Sequence, residues 1–248
     1  MTGRGHNLLA GKTVLVTAAA GTGIGFATAQ RCIEEGAQVA ITDIHERRLR
    51  ESASELGAVG IVADVRDEAD VQRCFETVFD ELGGLDVLVN NAGLGGTALL
   101  TDMTDDQWST VLDVTLTGTM RMTRAALRHM TVRGTGAIVN NASVVGWRAQ
   151  AGQCHYAAAK AGVMALTRCA AMEAASHNVR VNAVAPSLAM HEHLAKVTTE
   201  ELLAELTTKE AFGRAADPHE VANVIVFLAS DLASYMTGEV VAVSSQHP

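Results

Sequence analysis

Tyr156 and Lys160 stand four residues apart in an alanine-rich stretch that reads as helix, and Ser143 stands thirteen residues before the tyrosine. The i, i+4 spacing puts phenol and amine on one helix face. A phenol ordinarily titrates near ~10, too high for a base at neutral pH, but an ammonium within about 4–6 Å favours the phenolate. Such a pair can shuttle an alcohol proton while hydride leaves the adjacent carbon. Ser143 would donate a hydrogen bond to the developing alkoxide or carbonyl oxygen. A Tyr-x-x-x-Lys pairing alone is a common coincidence on helices. The chain has only 2 tyrosines, and this one follows a serine at a strand end in a chain with a glycine-rich turn. That conjunction points to redox chemistry at a secondary alcohol.

The turn is Thr17-Ala-Ala-Ala-Gly21-Thr-Gly23-Ile-Gly25, with a strand before it and a helix after it. Glycines there let backbone approach a pyrophosphate, whose charge the helix N-terminus favours. The next strand ends in Asp43, about 20 residues past the glycines, where an acidic side chain accepts from a ribose 2′-hydroxyl. A carboxylate there would repel a 2′-phosphate, so NAD is preferred to NADP. Arg47 and Arg48 leave NADP open, and Asp43 can also be read as a cap of the following helix. Asp64, after the third strand, and Asn90-Asn91-Ala92-Gly93, after the fourth, lie at carboxyl ends of strands, where a doubly wound sheet binds its ligand. Each can also be read as turn chemistry.

The elements that position these residues alternate along the chain. Strands are expected at Thr13–Thr17, Gln38–Thr42, Gly60–Ala63, Asp86–Asn90, Gly136–Asn141, Val179–Val184 and Glu239–Val243. Their continuous apolar runs indicate strands buried on both faces. Helices are expected at Ile24–Glu35, Glu46–Leu56, Asp67–Leu82, Asp105–Arg133, Cys154–Ser176 and Pro218–Ala229, with Asp217-Pro218 opening the last. The fold class is therefore α/β, a Rossmann-type doubly wound parallel sheet of about seven strands flanked by helices on both faces. With 248 residues, 48% hydrophobic and 4% aromatic, a single domain with an aliphatic core is expected. The segment Ser187–Gly213, with a short helix at Thr199–Lys209, reads as a lid.

A net charge of −9 argues against a nucleic-acid partner or an anionic membrane. No run approaches the ~20 apolar residues of a membrane span, and residues 1–10 lack the apolar core of a signal peptide. The 4 cysteines form no C-x-x-C pair, so reduced thiols, no metal and a cytoplasmic location are expected. His191 and His193 lack a carboxylate shell and make a poor metal site. His155 reads as structural, and Met120 and Met122 as core or interface.

Over nearly its whole length the sequence resembles the short-chain dehydrogenase/reductase family, in the order and spacing of its glycine turn, Asn-Asn-Ala-Gly element, Ser143, Tyr156 and Lys160. The resemblance implies that Tyr156 is the acid/base, that Lys160 lowers its pKa and holds the nicotinamide ribose, and that Ser143 orients the substrate oxygen. It implies dinucleotide contacts from Thr17, Ala19, Gly21, Gly23, Ile24, Asp43, Asp64, Val65, Asn91, Ala92, Gly93, Pro186, Ser187 and Leu188. It also implies a homotetramer or homodimer built on the two long helices.

Four departures stand out. The glycine turn holds one extra residue, with Ala18 in place of a glycine. Thr115-Leu-Thr-Gly118 replaces the family's Asn-Leu-Thr-Gly; the Thr115 hydroxyl can hold a relay water but lacks the second donor of an amide. Pro186-Ser187 replaces Pro-Gly, and His191 falls where a Thr often meets the nicotinamide amide. The tail Ser244-Ser-Gln-His-Pro248 replaces Asp-Gly-Gly.

With Gly146-Trp-Arg-Ala-Gln150 and Glu210-Ala-Phe-Gly-Arg-Ala215, these features resemble an actinobacterial branch associated with steroid breakdown, which oxidises a ring hydroxyl on a bicyclic remnant carried as a CoA thioester. That resemblance implies substrate contacts from Trp147, Arg148, Gln153 and His191; Trp147 as packing and Arg148 as a solvated charge are equally consistent with the sequence. Two other functions remain in view: a 3-oxoacyl thioester reductase of fatty-acid type, disfavoured by Asp43, and a dinucleotide-binding regulator without turnover, disfavoured by Ser143, Tyr156 and Lys160.

Overall fold

The computed structural model describes residues 5–190 and 200–246. Seven parallel strands form one sheet: β1 (Thr13–Thr17), β2 (Gln38–Asp43), β3 (Val59–Val62), β4 (Val87–Asn90), β5 (Gly136–Asn141), β6 (Val179–Pro186) and β7 (Val240–Val243). Their spatial order is β3-β2-β1-β4-β5-β6-β7. Sequence order reverses between β1 and β4, and the carboxyl ends beside that reversal form the crevice where such sheets take ligands.

The apolar runs arise because each inner strand feeds two cores. In β1, Val14 and Val16 pack in a cluster with Ala29, Cys32, Val221 and Ile225, while Leu15 between them joins a separate cluster with Val71, Phe75, Met122 and Met130. Alternate residues thus enter opposite layers, as strand pleating requires. The first layer holds α1 (Ile24–Glu34) and α8 (Pro218–Ala229); the second holds α3 (Glu68–Leu82), α5 (Gly118–Arg133) and α6 (Cys154–Ala174). The remaining helices are α2 (Glu46–Leu56), α4 (Asp105–Leu112) and α7 (Glu200–Thr208).

Capping fixes several starts. Asp67 accepts from the Ala69 and Asp70 amides, and Thr104 with Gln107 and Asp217 with Glu220 form capping boxes. Each satisfies donors that a helix start would leave open.

Three expectations need correction. The strands are not all buried on both faces: β3 lies at a sheet edge and its Val62 is 48% exposed, and β7, at the other edge, is only partly buried. An edge strand has a neighbour on one side only. The long helix Asp105–Arg133 is interrupted by a π-turn at Asp113–Thr117, which the sequence pattern does not display because the chain stays helical on both sides. Finally, β6 runs through Pro186, since its partner β7 pairs Pro186 with Val243.

Candidate active site

Thr17, the last residue of β1, is a buried hub. Its hydroxyl accepts from the Asn91 and Ala92 amides, each at 2.9 Å. The Asn91 amide group returns two bonds, to the Thr17 and Ala18 carbonyls at 3.1 and 3.0 Å. The ends of β1 and β4 are therefore locked together around the glycine turn. Gly25 packs so closely here that a Cβ would lie 2.5 Å from Asn91 Nδ2 and 2.6 Å from the Ala18 carbonyl oxygen. Ala18 itself has φ of 50°, the left-handed region that costs an L-residue about 1–2 kcal/mol. Ala19 is buried, and its amide donates to the Thr42 carbonyl at 3.2 Å.

Helix α1 starts at Ile24 from Gly23, with no side-chain cap and no acidic residue in its first turn. Its N-terminal donors differ from those of α3, α4 and α8, each met by a protein side chain. Open donors, a positive helix end and close backbone suit a pyrophosphate. Gly21 is less open than expected, because its amide donates to Ser52 Oγ at 3.0 Å.

Asp43 ends β2, nine-tenths buried, beside this turn. One oxygen accepts from the His45 amide at 2.9 Å and the other from the Ala20 amide at 3.4 Å. It thus performs turn chemistry, yet caps no helix: α2 starts at Glu46, and its N-cap residue is His45, which makes no side-chain cap. Two carboxylate oxygens retain acceptor capacity for a ribose hydroxyl. Of the two arginines that left NADP open, Arg47 is exposed and paired with Glu51 at 2.9 Å, and Arg48 is half-buried. Asp64 is gripped by the Arg66 side chain, which holds its carboxyl below the usual range. Val65 is buried and Gly93 lies beside Lys160: a Cβ on Gly93 would be 3.3 Å from Nζ.

Ser143, Tyr156 and Lys160 come together at the end of β5. A 3-10 turn at Val144–Gly146 folds back on α6, where a Cβ on Gly146 would lie 3.0 Å from the Ala161 nitrogen. That close approach brings Ser143 over the start of α6. Its hydroxyl lies toward the Tyr156 phenol and favours the phenolate, while it donates to the Pro186 carbonyl at 3.5 Å and accepts from the Val145 amide at 3.3 Å. Burial pushes the phenol above its ordinary range, and the Ser143 hydroxyl pulls partly against that.

Lys160 is 3% exposed, and burial brings its amine down to about 8. Its Nζ donates to the Asn141 carbonyl at 2.5 Å and lies 5.5 Å from the centroid of the Tyr156 ring. Burial is the largest influence on both groups, and it works against the lowering of the phenol that the ammonium would bring. His155 is buried and structural, its Nδ1 accepting from the Tyr156 amide at 2.9 Å, which places the proton of a neutral ring on Nε2.

Thr115 lies in the π-turn, wholly buried. Its hydroxyl accepts from the Leu94 amide at 3.0 Å and donates to the Leu94 carbonyl at 3.3 Å. The hydroxyl anchors the loop after β4 through its one proton and one of its two lone pairs. Pro186 through Leu188 border the site from β6; Ser187 donates its amide to Val243 O at 3.1 Å, and Leu188 donates to Glu210 at 3.3 Å. Trp147 is 51% exposed, Arg148 half-buried, and Gln153 immediately precedes α6. His191 lies outside the described residues.

Two features escaped the sequence reading. The Asn141 amide donates to Asn91 Oδ1 at 2.9 Å, joining Lys160 to the glycine turn through two asparagines. The Asn-Asn doublets ending β4 and β5 were the available signal. Ser245 and Gln246, both half-buried, close over the buried Glu210 against Leu188, foreshadowed only by the unusual C-terminal tail.

A family model described as enoyl-(acyl carrier protein) reductase matches residues 18–245. The chain is 60% identical to the (5R,7aS)-5-hydroxy-7a-methyl-1-oxo-2,3,5,6,7,7a-hexahydro-1H-indene-carboxyl-CoA reductase of Mycobacterium tuberculosis, over 98% of this chain and 96% of that protein. It is 41% identical to a 3-oxoacyl-[acyl-carrier-protein] reductase of Vibrio harveyi, over 95% and 97% of the two chains. In three dimensions it resembles a short chain dehydrogenase from Mycobacterium smegmatis with a TM-score of 0.88 and 55% identity, covering 98% of this chain and 96% of the other.

Proposed function

The chain belongs to the short-chain dehydrogenase/reductase family, and from that premise we propose that it interconverts a secondary alcohol and a ketone on a bicyclic, steroid-derived acyl-CoA. The carrying observation is the meeting of Ser143, Tyr156 and Lys160 at the end of β5, joined through Asn141 and Asn91 to the glycine turn. The bicyclic substrate rests on the 60% identity to the indene-carboxyl-CoA reductase, which exceeds the 41% to the 3-oxoacyl carrier-protein reductase.

The enzyme uses a nicotinamide dinucleotide, which when bound exchanges hydride with the carbinol carbon. Its pyrophosphate would lie at the start of α1 and its adenine beside Asp64 and Val65. We assign NAD rather than NADP because Asp43, nine-tenths buried, offers acceptor oxygens beside the turn while Arg47 is engaged by Glu51.

In oxidation, Tyr156 Oη takes the substrate hydroxyl proton, and Ser143 Oγ holds the substrate oxygen as it becomes a carbonyl. Lys160 would favour the phenolate and hold the nicotinamide ribose. Thr115 acts by fixing Leu94 and the loop beside Lys160. Reduction runs the same transfers in reverse.

Self-association belongs to the same reading. α5 and α6 border a groove lined by Met120, Leu127 and Leu166 with Arg124, Arg128 and Glu173, and Val132 and Met172 are exposed on these helices. Apolar surface of this kind suits a second copy.

The test is NADH formation with a bicyclic hydroxyacyl-CoA and, separately, a straight-chain 3-hydroxyacyl-CoA. The bicyclic compound is expected to turn over with the higher kcat/KM. Preference for the straight chain would overturn the substrate assignment.

A further inference from the structure

Glu210 is a carboxylate with only 4% of its surface exposed. Donors converge on it from two segments, the end of β6 and the C-terminal tail. The Ser245 hydroxyl reaches Oε2 at 2.7 Å, and the Gln246 amide and the Leu188 N–H reach Oε1 at 3.0 and 3.3 Å. The Ser187 hydroxyl lies toward the same carboxylate and favours its charged form. Burial alone would raise this carboxyl, but these donors prevail and hold it below its usual range. The backbone runs the same way, with the Ala211 amide donating to the Ser245 carbonyl at 2.8 Å. The C-terminal tail is thereby fastened beside the end of β6.

Burying a carboxylate is costly even when it is well hydrogen-bonded, and apolar packing would fasten a tail without that cost. What the carboxylate adds is direction. It can only accept, so it takes the Nε2 end of Gln246 and turns Oε1 the other way. Gln246 Oε1 accepts from Arg148 Nη1. Arg148 lies just past the 3-10 turn that starts at Ser143, and its amide donates to the Val144 carbonyl at 3.0 Å. Ser143 in turn touches the Pro186 carbonyl at 3.5 Å, next to Ser187 and Leu188. The contacts close a ring from Ser143 through β6, Glu210, Gln246 and Arg148 back to Ser143.

Arg66, Arg121, Arg133 and Arg214 each pair with a carboxylate. Among the described residues Arg148 meets only the neutral Gln246 side chain. A guanidinium oriented by Gln246, carried on the turn that follows Ser143 and with donors to spare, suits an uncharged oxygen acceptor on the substrate. The phosphates of a CoA ester lie at the far end of the pantetheine arm, whereas Arg148 is one short turn from Ser143.

We infer that Arg148 hydrogen-bonds the thioester carbonyl of the acyl substrate, with Gln246 and Glu210 as its positioning residues, and so selects thioesters over a bare ring alcohol. This rests on the proposed function and adds the group that recognises the acyl arm.

Kinetics of the wild type, Arg148→Met, Arg148→Lys and Gln246→Leu test it, each with the bicyclic hydroxyacyl-CoA, its pantetheine ester and the bicyclic alcohol lacking the acyl arm. Arg148→Met and Gln246→Leu should raise KM for both thioesters about tenfold or more, the loss expected for one hydrogen bond to a charged group, with kcat within about threefold. Arg148→Lys should recover part of the loss. The bare alcohol, the KM for dinucleotide and the melting temperature should not change. Equal losses on the bare alcohol would assign these residues to structure alone and overturn the inference. Losses confined to the CoA ester would move the contact to the phosphates and overturn it too, as would variants that match a thioester-preferring wild type. A wild type that uses the bare alcohol as well as the thioesters would remove both this inference and the thioester reading on which it rests.

Discussion

Lys160 Nζ donates to the carbonyl oxygen of Asn141 at 2.5 Å, so the amine is tied to the end of β5 while the ring of Tyr156 lies 5.5 Å away from it, measured to the centroid. The lysine is thus placed by the strand that leads into Ser143. Asn141 passes the constraint on to Asn91 at 2.9 Å and so to the glycine turn. The residues proposed for proton transfer and those proposed for dinucleotide binding thus share one hydrogen-bonded frame.

The buried amine gives the protein a pH-dependent stability. Its pKa falls from 10.5 to about 8 on folding. Between those values the unfolded chain binds a proton that the folded chain does not, so stability rises with pH across the window. Below about pH 8 both states carry the proton and this contribution to the slope disappears. Urea unfolding at several pH values should show Lys160→Met lacking the rise. An identical slope in wild type and variant would mean that the amine keeps its ordinary affinity for protons.

Asp43 sets the dinucleotide preference in this account. Asp43→Asn keeps an acceptor for the His45 amide and removes the charge. The ratio of kcat/KM for NAD over NADP should fall by about tenfold, or ~1.4 kcal/mol. An unchanged ratio would take Asp43 out of the ribose site.

The glycine turn makes opposite predictions at two positions. Gly25→Ala would push a methyl to within 2.5 Å of Asn91 Nδ2, displacing the asparagine that ties β1 to β4, and dinucleotide affinity should drop at least about tenfold with a loss of about 1–3 kcal/mol in stability. Ala18→Gly relieves a left-handed alanine and keeps the carbonyl that accepts from Asn91. It should raise stability by up to about 1 kcal/mol, or about 2–4 °C in Tm. A destabilised Ala18→Gly would show that the φ of 50° carries no strain.

Much of this arrangement is legible in the sequence, because strands with both faces covered leave unbroken apolar runs and because turns need glycine at fixed offsets. Strand β1 and helices α2 and α8 have the boundaries that the sequence predicts. What escapes is what depends on distant chain. The π-turn at Thr115 leaves the helical pattern intact on both sides. Val62 reads as core until its place at the sheet edge is known. The depth of Lys160 and Glu210 is set by segments far away in sequence, and charged residues carry no local mark of burial. The Tyr156–Lys160 pair was legible as a position, whereas its protonation follows from desolvation that only packing reveals.

The most direct test of the chemistry is Tyr156→Phe, measured for both dinucleotide binding and turnover. The phenol lies toward the Ser143 hydroxyl, and among the described residues no hydrogen bond of the glycine turn involves it. Binding should stay within about threefold of wild type while turnover falls by about 10²–10⁴-fold, the usual contribution of a positioned acid/base. Turnover that survives the substitution would contradict the assignment of Tyr156 as the group that moves the substrate proton.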